Sequence, residues 1–227
     1  MSEQQSTPVK TIAIIGGTGK EGKGLAYRWA KAGIDILIGS RSREKAEGAA
    51  AEVNQLLDGA GRVRGLPNEE AAELGDLLVI TVPYAAHAAM CEAIKLYAKG
   101  KIVIDVTVPL VPPKVTRVQM PPAGSATQEA QLIMGEDAEV VAAFQNISYE
   151  QLLKDEPVSC DVLVCGRLKS ARATVLELVR AAGLVGYDAG PIENAVVVEG
   201  LTSVLIGINK QFGVHDSGIR ITSVPQE

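Results

Sequence analysis

The chain is short of aromatic residues, of histidine and of paired cysteine, and each shortage removes a class of chemistry. Aromatics make up only 4% of the 227 residues, so ring stacking is not expected to be the main binding device. Two histidines and three cysteines (Cys91, Cys160 and Cys165, with no C-x-x-C pair) offer no metal-ligand cluster. The odd cysteine count suits a reducing cytoplasm better than a disulfide framework. There is no lysine or arginine block and the net charge is −5, which argues against nucleic acid and against an anionic membrane surface as partners. No run of ~18 apolar residues is present, so no membrane span is expected. The start, "MSEQQSTPVK", is polar, lacks an apolar signal region and reads as a short frayed tail; a cytoplasmic location is the expectation.

What is present is a steady alternation of strands and helices. Apolar residues are 47% of the chain, enough for a full core. "KTIAIIG", "IDILIGS", "DLLVITVP" and "KIVIDVTVP" are short apolar runs bounded by glycine or proline, the pattern of strands buried on both faces. A further short strand is expected near Arg62–Leu66. Between the strands lie helical stretches, among them "KGLAYRWAKAG", closed by Gly33, and one opened by Asn68 as a presumptive N-cap. The alternation predicts a doubly wound α/β fold with a parallel sheet, a dinucleotide-type domain over residues 9–150. A proline-rich loop follows. Ser125 and Gln128 then form an S-x-x-Q capping box before a helix, and Ala138–Phe144 reads as strand six. Residues 151–227 read as a small C-terminal α/β part for substrate binding or dimerisation. Its last helix carries Val196, Val197, Val198, Leu201, Val204, Leu205 and Ile208 on most of its faces, so it must enter the core or a dimer contact. "IRITSV" is expected to close the structure as a final strand.

"IIGGTGKEGKG" places Gly17, Gly19 and Gly22 in G-x-G-x-x-G spacing, after a strand and at the start of a helix. Glycine at the first position permits the tight turn, the second lets a pyrophosphate approach the backbone, and the third lets helix and strand pack closely. The free N–H groups of the helix start then face the anion. An acid at the end of strand two would favour NAD. Ser40, Arg41, Arg43 and Lys45 stand there instead and suit a 2′-phosphate, hence NADP(H). Arg41 is the firmest of these, because Arg43 sits where a solvated first-turn residue is expected. The loops after strands four and five, Thr81–His87 and Asp105–Val111, should line the crevice, with Pro83 fixing the backbone as it leaves the sheet. His87 is a candidate catalytic group or, more simply, a helix-face residue. Asp105 is a candidate buried acid or a strand end satisfied by local amides.

The segments "IIGGTGKEGKGLA", "GSRSREKAE", "NEEAAELGDLLVITVP", the pair Cys165–Gly166 and "DAGPIENAVVVEGLT" occur in an order that resembles the NADP oxidoreductases dependent on coenzyme F420, an 8-hydroxy-5-deazaflavin. The resemblance spans residues 10 to 220. It implies hydride transfer between NADPH and the deazaflavin by a homodimer. It places Thr18, Gly19, Lys20 and Glu21 on the NADP phosphates, and Ser40, Arg41 and Lys45 on the 2′-phosphate. Val82, Ala86 and Val108 would lie along the nucleotide. "AAFQNISY" would carry Ile147 and Tyr149 close to the two rings. The chain departs from the family pattern at Gln145, where a histidine is expected, and at Ser148, where a proline is expected; both fall on the acceptor side.

Hydride transfer between two ring carbons is chiefly a matter of positioning, so Gln145, Ile147 and Ser148 are positioning candidates and no catalytic acid or base is required. The Y-x-x-x-K spacing of short-chain dehydrogenases occurs at Tyr27/Lys31 and Tyr97/Lys101. Neither pair lies on a helix facing the nicotinamide, so both are taken as chance. The stretch after Tyr149 is too short for the helical second domain of β-hydroxyacid dehydrogenases and imine reductases. Two alternatives stand beside the F420 reading: an NADPH-dependent reductase of another acceptor, such as a flavin or a ferric chelate, and a non-catalytic NADP(H) sensor.

Overall fold

The computed structural model describes residues 9–59 and 62–224; of the polar start expected to fray, residues 1–8 lie outside them. The chain order is β1 (Thr11–Ile15), α1 (Lys20–Lys31), β2 (Asp35–Ser40), α2 (Arg43–Leu56), β3 (Val63–Pro67), α3 (Asn68–Leu74), β4 (Leu77–Ile80), α4 (Tyr84–Ile94), β5 (Ile102–Asp105), α5 (Ala126–Met134), β6 (Glu139–Ala142), α6 (Tyr149–Leu152), β7 (Asp161–Gly166), α7 (Lys169–Ala181), β8 (Val185–Asp188) and α8 (Ala195–Phe212). The strands form one sheet in the order β3-β2-β1-β4-β5-β6-β7-β8. Every pairing is parallel except that of β6 with β7. The doubly wound α/β fold is therefore as expected. The strand order reverses at β1, whose neighbours are β2 and β4, and this opens a crevice at the carboxyl ends of those strands.

The reason for the unbroken apolar strands is visible in β1. Ile12 and Ile14 enter one core layer with Leu25, Trp29 and Leu178. Ala13 and Ile15 enter the other with Ala71, Cys91 and Ile94. Alternate residues point to opposite faces and both faces are covered.

Residues 151–224 continue the same sheet through β7 and β8. Trp29, fully buried on α1, donates its indole N–H to the Leu178 carbonyl of α7 at 2.8 Å and meets Phe144 edge-on at 5.6 Å between centroids. Arg28 donates to the carbonyls of Gln151 and Leu152 at 2.9 and 2.7 Å, and also to that of Lys154, which satisfies the carboxyl end of α6.

One expectation about the last segment is corrected. "IRITSV" forms no strand. The Ile219 carbonyl accepts from Asp161 N–H at 2.8 Å, and Ile221 N–H donates to the Asp161 carboxylate at 2.6 Å. The segment thus covers the end of β7 that β6 does not reach, because β6 pairs only with Cys165 and Gly166. Helix α8, expected to enter the core or a dimer contact, turns Ala195, Val198 and Leu205 inward, while Val197, Val204, Ile208 and Phe212 form an exposed stripe. The Ser125 cap behaves as read, its hydroxyl accepting from Gln128 N–H at 3.0 Å.

Trp29→Phe keeps most of the packing and removes the indole bond to the Leu178 carbonyl, which still accepts from Ala182 N–H at 3.0 Å. The expected loss is about 0.5–1.5 kcal/mol of unfolding free energy, read from the denaturant midpoint by circular dichroism.

Candidate functional site

The carboxyl ends of the parallel strands, the exit of β6 and one face of α8 enclose a cleft of about 1560 Å³. Sites for one small molecule are usually about 300–1,000 Å³, so the cleft has room for a second ligand.

The glycine turn forms one wall. A side chain on Gly17 would place its Cβ 2.7 Å from the Ile14 carbonyl, and one on Gly22 would come within 2.6 Å of the Gly17 backbone. Gly19 has nothing within 4 Å of that position, is exposed and lines the cleft. The three glycines thus permit the turn, the close helix approach and an open backbone, in the roles their spacing implied. Gly16, at φ +70°, donates its N–H to Asn68 Oδ1 at 3.0 Å. This corrects the reading of Asn68 as an N-cap. Its buried side chain leaves its own helix to brace the turn, and Pro67 occupies the cap position. Helix α1 makes its first internal bond from Lys23 N–H to the Gly19 carbonyl, so the N–H groups of Lys20, Glu21 and Gly22 have no partner within the helix. The Glu21 side chain is unusual here: Oε1 is buried without a hydrogen bond, and burial pushes the carboxyl up to about 8.

At the β2 end, Ser40, Arg41, Ser42 and Lys45 line the cleft. Ser42 caps α2, its hydroxyl accepting from Lys45 N–H at 3.4 Å. Arg43 turns away to pair with Glu70 at 2.5 Å, as its first-turn position suggested. Arg41 and Lys45 are exposed and have no ion-pair partner among the described residues.

Val82, Pro83, Ala86 and Val108 line the middle of the cleft, with Thr81 and Thr107. His87 does not. It is fully buried on the opposite side of α4, with Nε2 2.9 Å from Asp105 Oδ2, Nδ1 3.6 Å from Glu129 Oε2 and Nε2 3.7 Å from Cys91 Sγ. Burial would lower its pKa, but the hydrogen bonds with Asp105 and Cys91 outweigh that and raise it to about 11. The catalytic candidacy of His87 is thereby withdrawn. Asp105 combines both readings: it is a buried acid, and its Oδ1 accepts from Thr107 N–H at 3.0 Å. The Y-x-x-x-K pairs also stay outside the cleft. Tyr27 and Lys31 share Asp155, and Lys101 donates to the Ala72 and Glu73 carbonyls.

Gln145, Ile147, Ser148 and Tyr149 meet at the far end. Gln145 donates its amide to the Asp105 carbonyl at 2.7 Å, which fixes the amide orientation and leaves Oε1 without a partner. Asn146 repeats the arrangement, donating to the Val198 carbonyl at 2.8 Å and leaving Oδ1 unpaired. Ser148 caps α6, its hydroxyl accepting from Glu150 N–H at 3.3 Å. Lys20 lies over the Tyr149 ring, 4.6 Å from its centroid, and donates to its hydroxyl at 3.1 Å.

Sequence reading missed Asn146 and the α8 face made of Thr202, Leu205, Ile206 and Asn209, which also lines the cleft. The spacing of those four is helical, and that was the available signal. Thr202 donates to the Gln145 carbonyl at 2.8 Å, tying α8 to the β6 exit.

Residues 11–109 match the family described as NADP oxidoreductase, coenzyme F420-dependent. The F420-dependent NADP reductase of Methanocaldococcus jannaschii is 40% identical over 221 residues, which covers 94% of this chain and 98% of that protein. The chain belongs to this family. The F420-dependent NADP reductase of Methanothermobacter thermautotrophicus is 38% identical over 229 residues, covering 96% of this chain and 97% of that one. A solved structure from Arthrobacter sp. FB24 shares the fold with a TM-score of 0.78 at 22% identity, covering 94% of this chain and 99% of that one. The residues present fit the family's two ligands in kind: an open glycine backbone at a helix start, two unpaired cations at the β2 exit, and space beyond one ligand.

Gly19→Val should leave the melting temperature nearly unchanged, since the added atoms meet open space, yet abolish NADPH binding in a titration. Gly22→Val should instead lower the melting temperature markedly. A carboxyl near 8 at the α1 start ionises as pH rises, and would then repel an anion held there. NADPH affinity is expected to weaken between pH 7 and 9, and Glu21→Gln to flatten that slope and tighten binding at the alkaline end, as calorimetry would measure.

Proposed function

We propose that the chain transfers a hydride between NADPH and coenzyme F420. The observation that carries this reading is a cleft of about 1560 Å³ that has room for a second ligand, with Arg41 and Lys45 free of ion-pair partners among the described residues at its β2 end and no carboxylate at its far end. The identity of the relatives named F420-dependent NADP reductase agrees with it.

In this reading Gly19 and the α1 N–H groups hold the pyrophosphate, and Thr18 lines the same turn. Arg41, with Ser40 and Lys45, holds the 2′-phosphate. Val82, Pro83, Ala86 and Val108 give the nucleotide an apolar bed. When both ligands are bound, the nicotinamide and the deazaflavin supply the hydride chemistry themselves. The chain orients the rings and excludes water: Ile147 presents an apolar side chain, while Gln145 and Asn146 offer carbonyl oxygens to ring N–H groups. Ser148 and Tyr149 hold the floor through α6. No general base is needed, because no hydroxyl proton is removed from the hydride donor.

The finer features belong to the same proposal. The exposed stripe of Val197, Val204, Ile208 and Phe212 suits a homodimer contact. Residues 151–227 serve the acceptor and that contact, and residues 9–150 the nucleotide. The free, buried cysteines agree with a reducing cytoplasm.

The test is to mix the protein with NADPH and oxidised F420 and follow the loss of deazaflavin absorbance. Rapid bleaching is expected. Arg41→Asp should raise the KM for NADPH by at least about tenfold, by turning an attraction to the 2′-phosphate into a repulsion, and should change NADH use far less. Tight NADPH binding with no bleaching would favour another acceptor or a sensor. Equal loss of NADPH and NADH would overturn the 2′-phosphate site.

A further inference from the structure

The charges that line the cleft are unevenly placed. Its two carboxylates, Glu21 and Glu69, stand at the glycine turn and at the start of α3, on the nucleotide side. The acceptor half has none in its lining. Beyond it, a smaller hollow of about 460 Å³ continues the cleft, sharing Ile206, Asn209 and His215 with it and adding Lys210.

This hollow is held in shape. Helix α8 ends at Phe212, and Gly213 reverses the chain at φ +66°. Asn209 then pins the returning turn: its carbonyl accepts from Val214 N–H at 3.1 Å and its Oδ1 from Ser217 N–H at 3.1 Å. Ser217 in turn donates its hydroxyl to the Leu205 carbonyl at 3.3 Å. His215 is thereby held beside the flank of α8 that carries Lys210. Both are exposed, and neither has an ion-pair partner among the described residues. The neighbouring acid, Asp216, is engaged elsewhere: it accepts from the Gln151 amide and lies 3.7 Å from Lys154 Nζ.

We infer that Lys210 and His215 form an anion subsite for the tail of the acceptor, beyond the end of the cleft that takes its ring. This rests on the hydride-transfer reading for the identity of the ring. The F420 ring carries a phosphodiester followed by glutamates, all anionic at neutral pH. A cationic hollow at the ring's exit would recognise that chemistry through charge-assisted hydrogen bonds. A flavin-like ring without such a tail would gain nothing from it.

The experiment compares three acceptors with NADPH: the full coenzyme, the form lacking glutamates, and the deazaflavin riboside lacking phosphate as well. The wild type is expected to show a KM about tenfold lower or better for the full coenzyme than for the riboside, consistent with one or two charge-assisted contacts. That advantage should shrink with added salt. The form lacking glutamates tells which anion is held: a KM like the riboside's assigns the glutamates, one like the full coenzyme's assigns the phosphodiester. Lys210→Glu should erase the advantage while leaving the riboside and NADPH constants in place, and Lys210→Arg should keep it. If Lys210 served only to oppose the α8 dipole, Lys210→Glu would lower the melting temperature and move all three acceptors together. Equal KM for all three acceptors in the wild type would overturn the subsite and leave the hydride-transfer reading intact. If no acceptor is reduced, the hydride-transfer reading falls. Fluorescence titration then decides the subsite alone: tighter binding of the full coenzyme than of the riboside supports it, and equal binding overturns it.

Discussion

The cleft depends on how closely α1 approaches the end of β1. The backbone of Gly22 lies so near that of Gly17 that a Cβ would collide with it, and Gly17 itself is folded against the Ile14 carbonyl. That approach aims the first N–H groups of α1 at the crevice and leaves Gly19 bare at its edge. It also sets the height of α1 over the sheet, which lets Trp29 reach α7 and Arg28 close the end of α6. The far end of the cleft is therefore held from the same helix that follows the glycine turn.

Beneath the cleft, a buried polar cluster fixes the opposite wall. Asp105 at the end of β5 holds His87 of α4 and accepts from Thr107 N–H, and its backbone carbonyl takes the Gln145 amide. Glu199 of α8 accepts from the N–H groups of Ala126 and Thr127, so one carboxylate on the last helix caps the start of α5. Burial, and then the charge of Asp105, push Glu199 up to about 7 against the pull of those hydrogen bonds. Glu199 ties α8 to α5 and His87 ties α4 to β5; α4 and α8 carry cleft-lining residues, but neither of these two side chains lines the cleft. Their role is in placing the walls, which explains why His87 and its partner Asp105 read ambiguously from sequence.

The nucleotide half of the site was legible because its determinants are local. A strand, a glycine turn and a helix start follow one another in the chain, and the cations after β2 sit at a position that topology assigns to the ribose end. The acceptor half was legible only in part. Gln145, Ile147, Ser148 and Tyr149 were picked out by resemblance, whereas the α8 face opposite them and the turn carrying His215 come from residues more than fifty positions away. Asn68 was misjudged for a related reason: it has a plausible local role at the start of its own helix and is claimed instead by a distant group, the Gly16 N–H. For His87 the simpler reading, a helix-face residue, holds, and its distant partner Asp105 is what the sequence did not show.

Composition and period determined the class of fold, the two-sided burial of the parallel strands, the tight glycine turn and the two cations that follow β2, since each follows from residue type and short-range spacing. Tertiary structure decided which side of α4 faces ligand, which face of α8 joins the cleft and which stays exposed, and where the last segment lies. These are choices among faces of amphipathic or uniformly apolar elements. They are settled by packing against partners remote in sequence, whose identity no local pattern encodes.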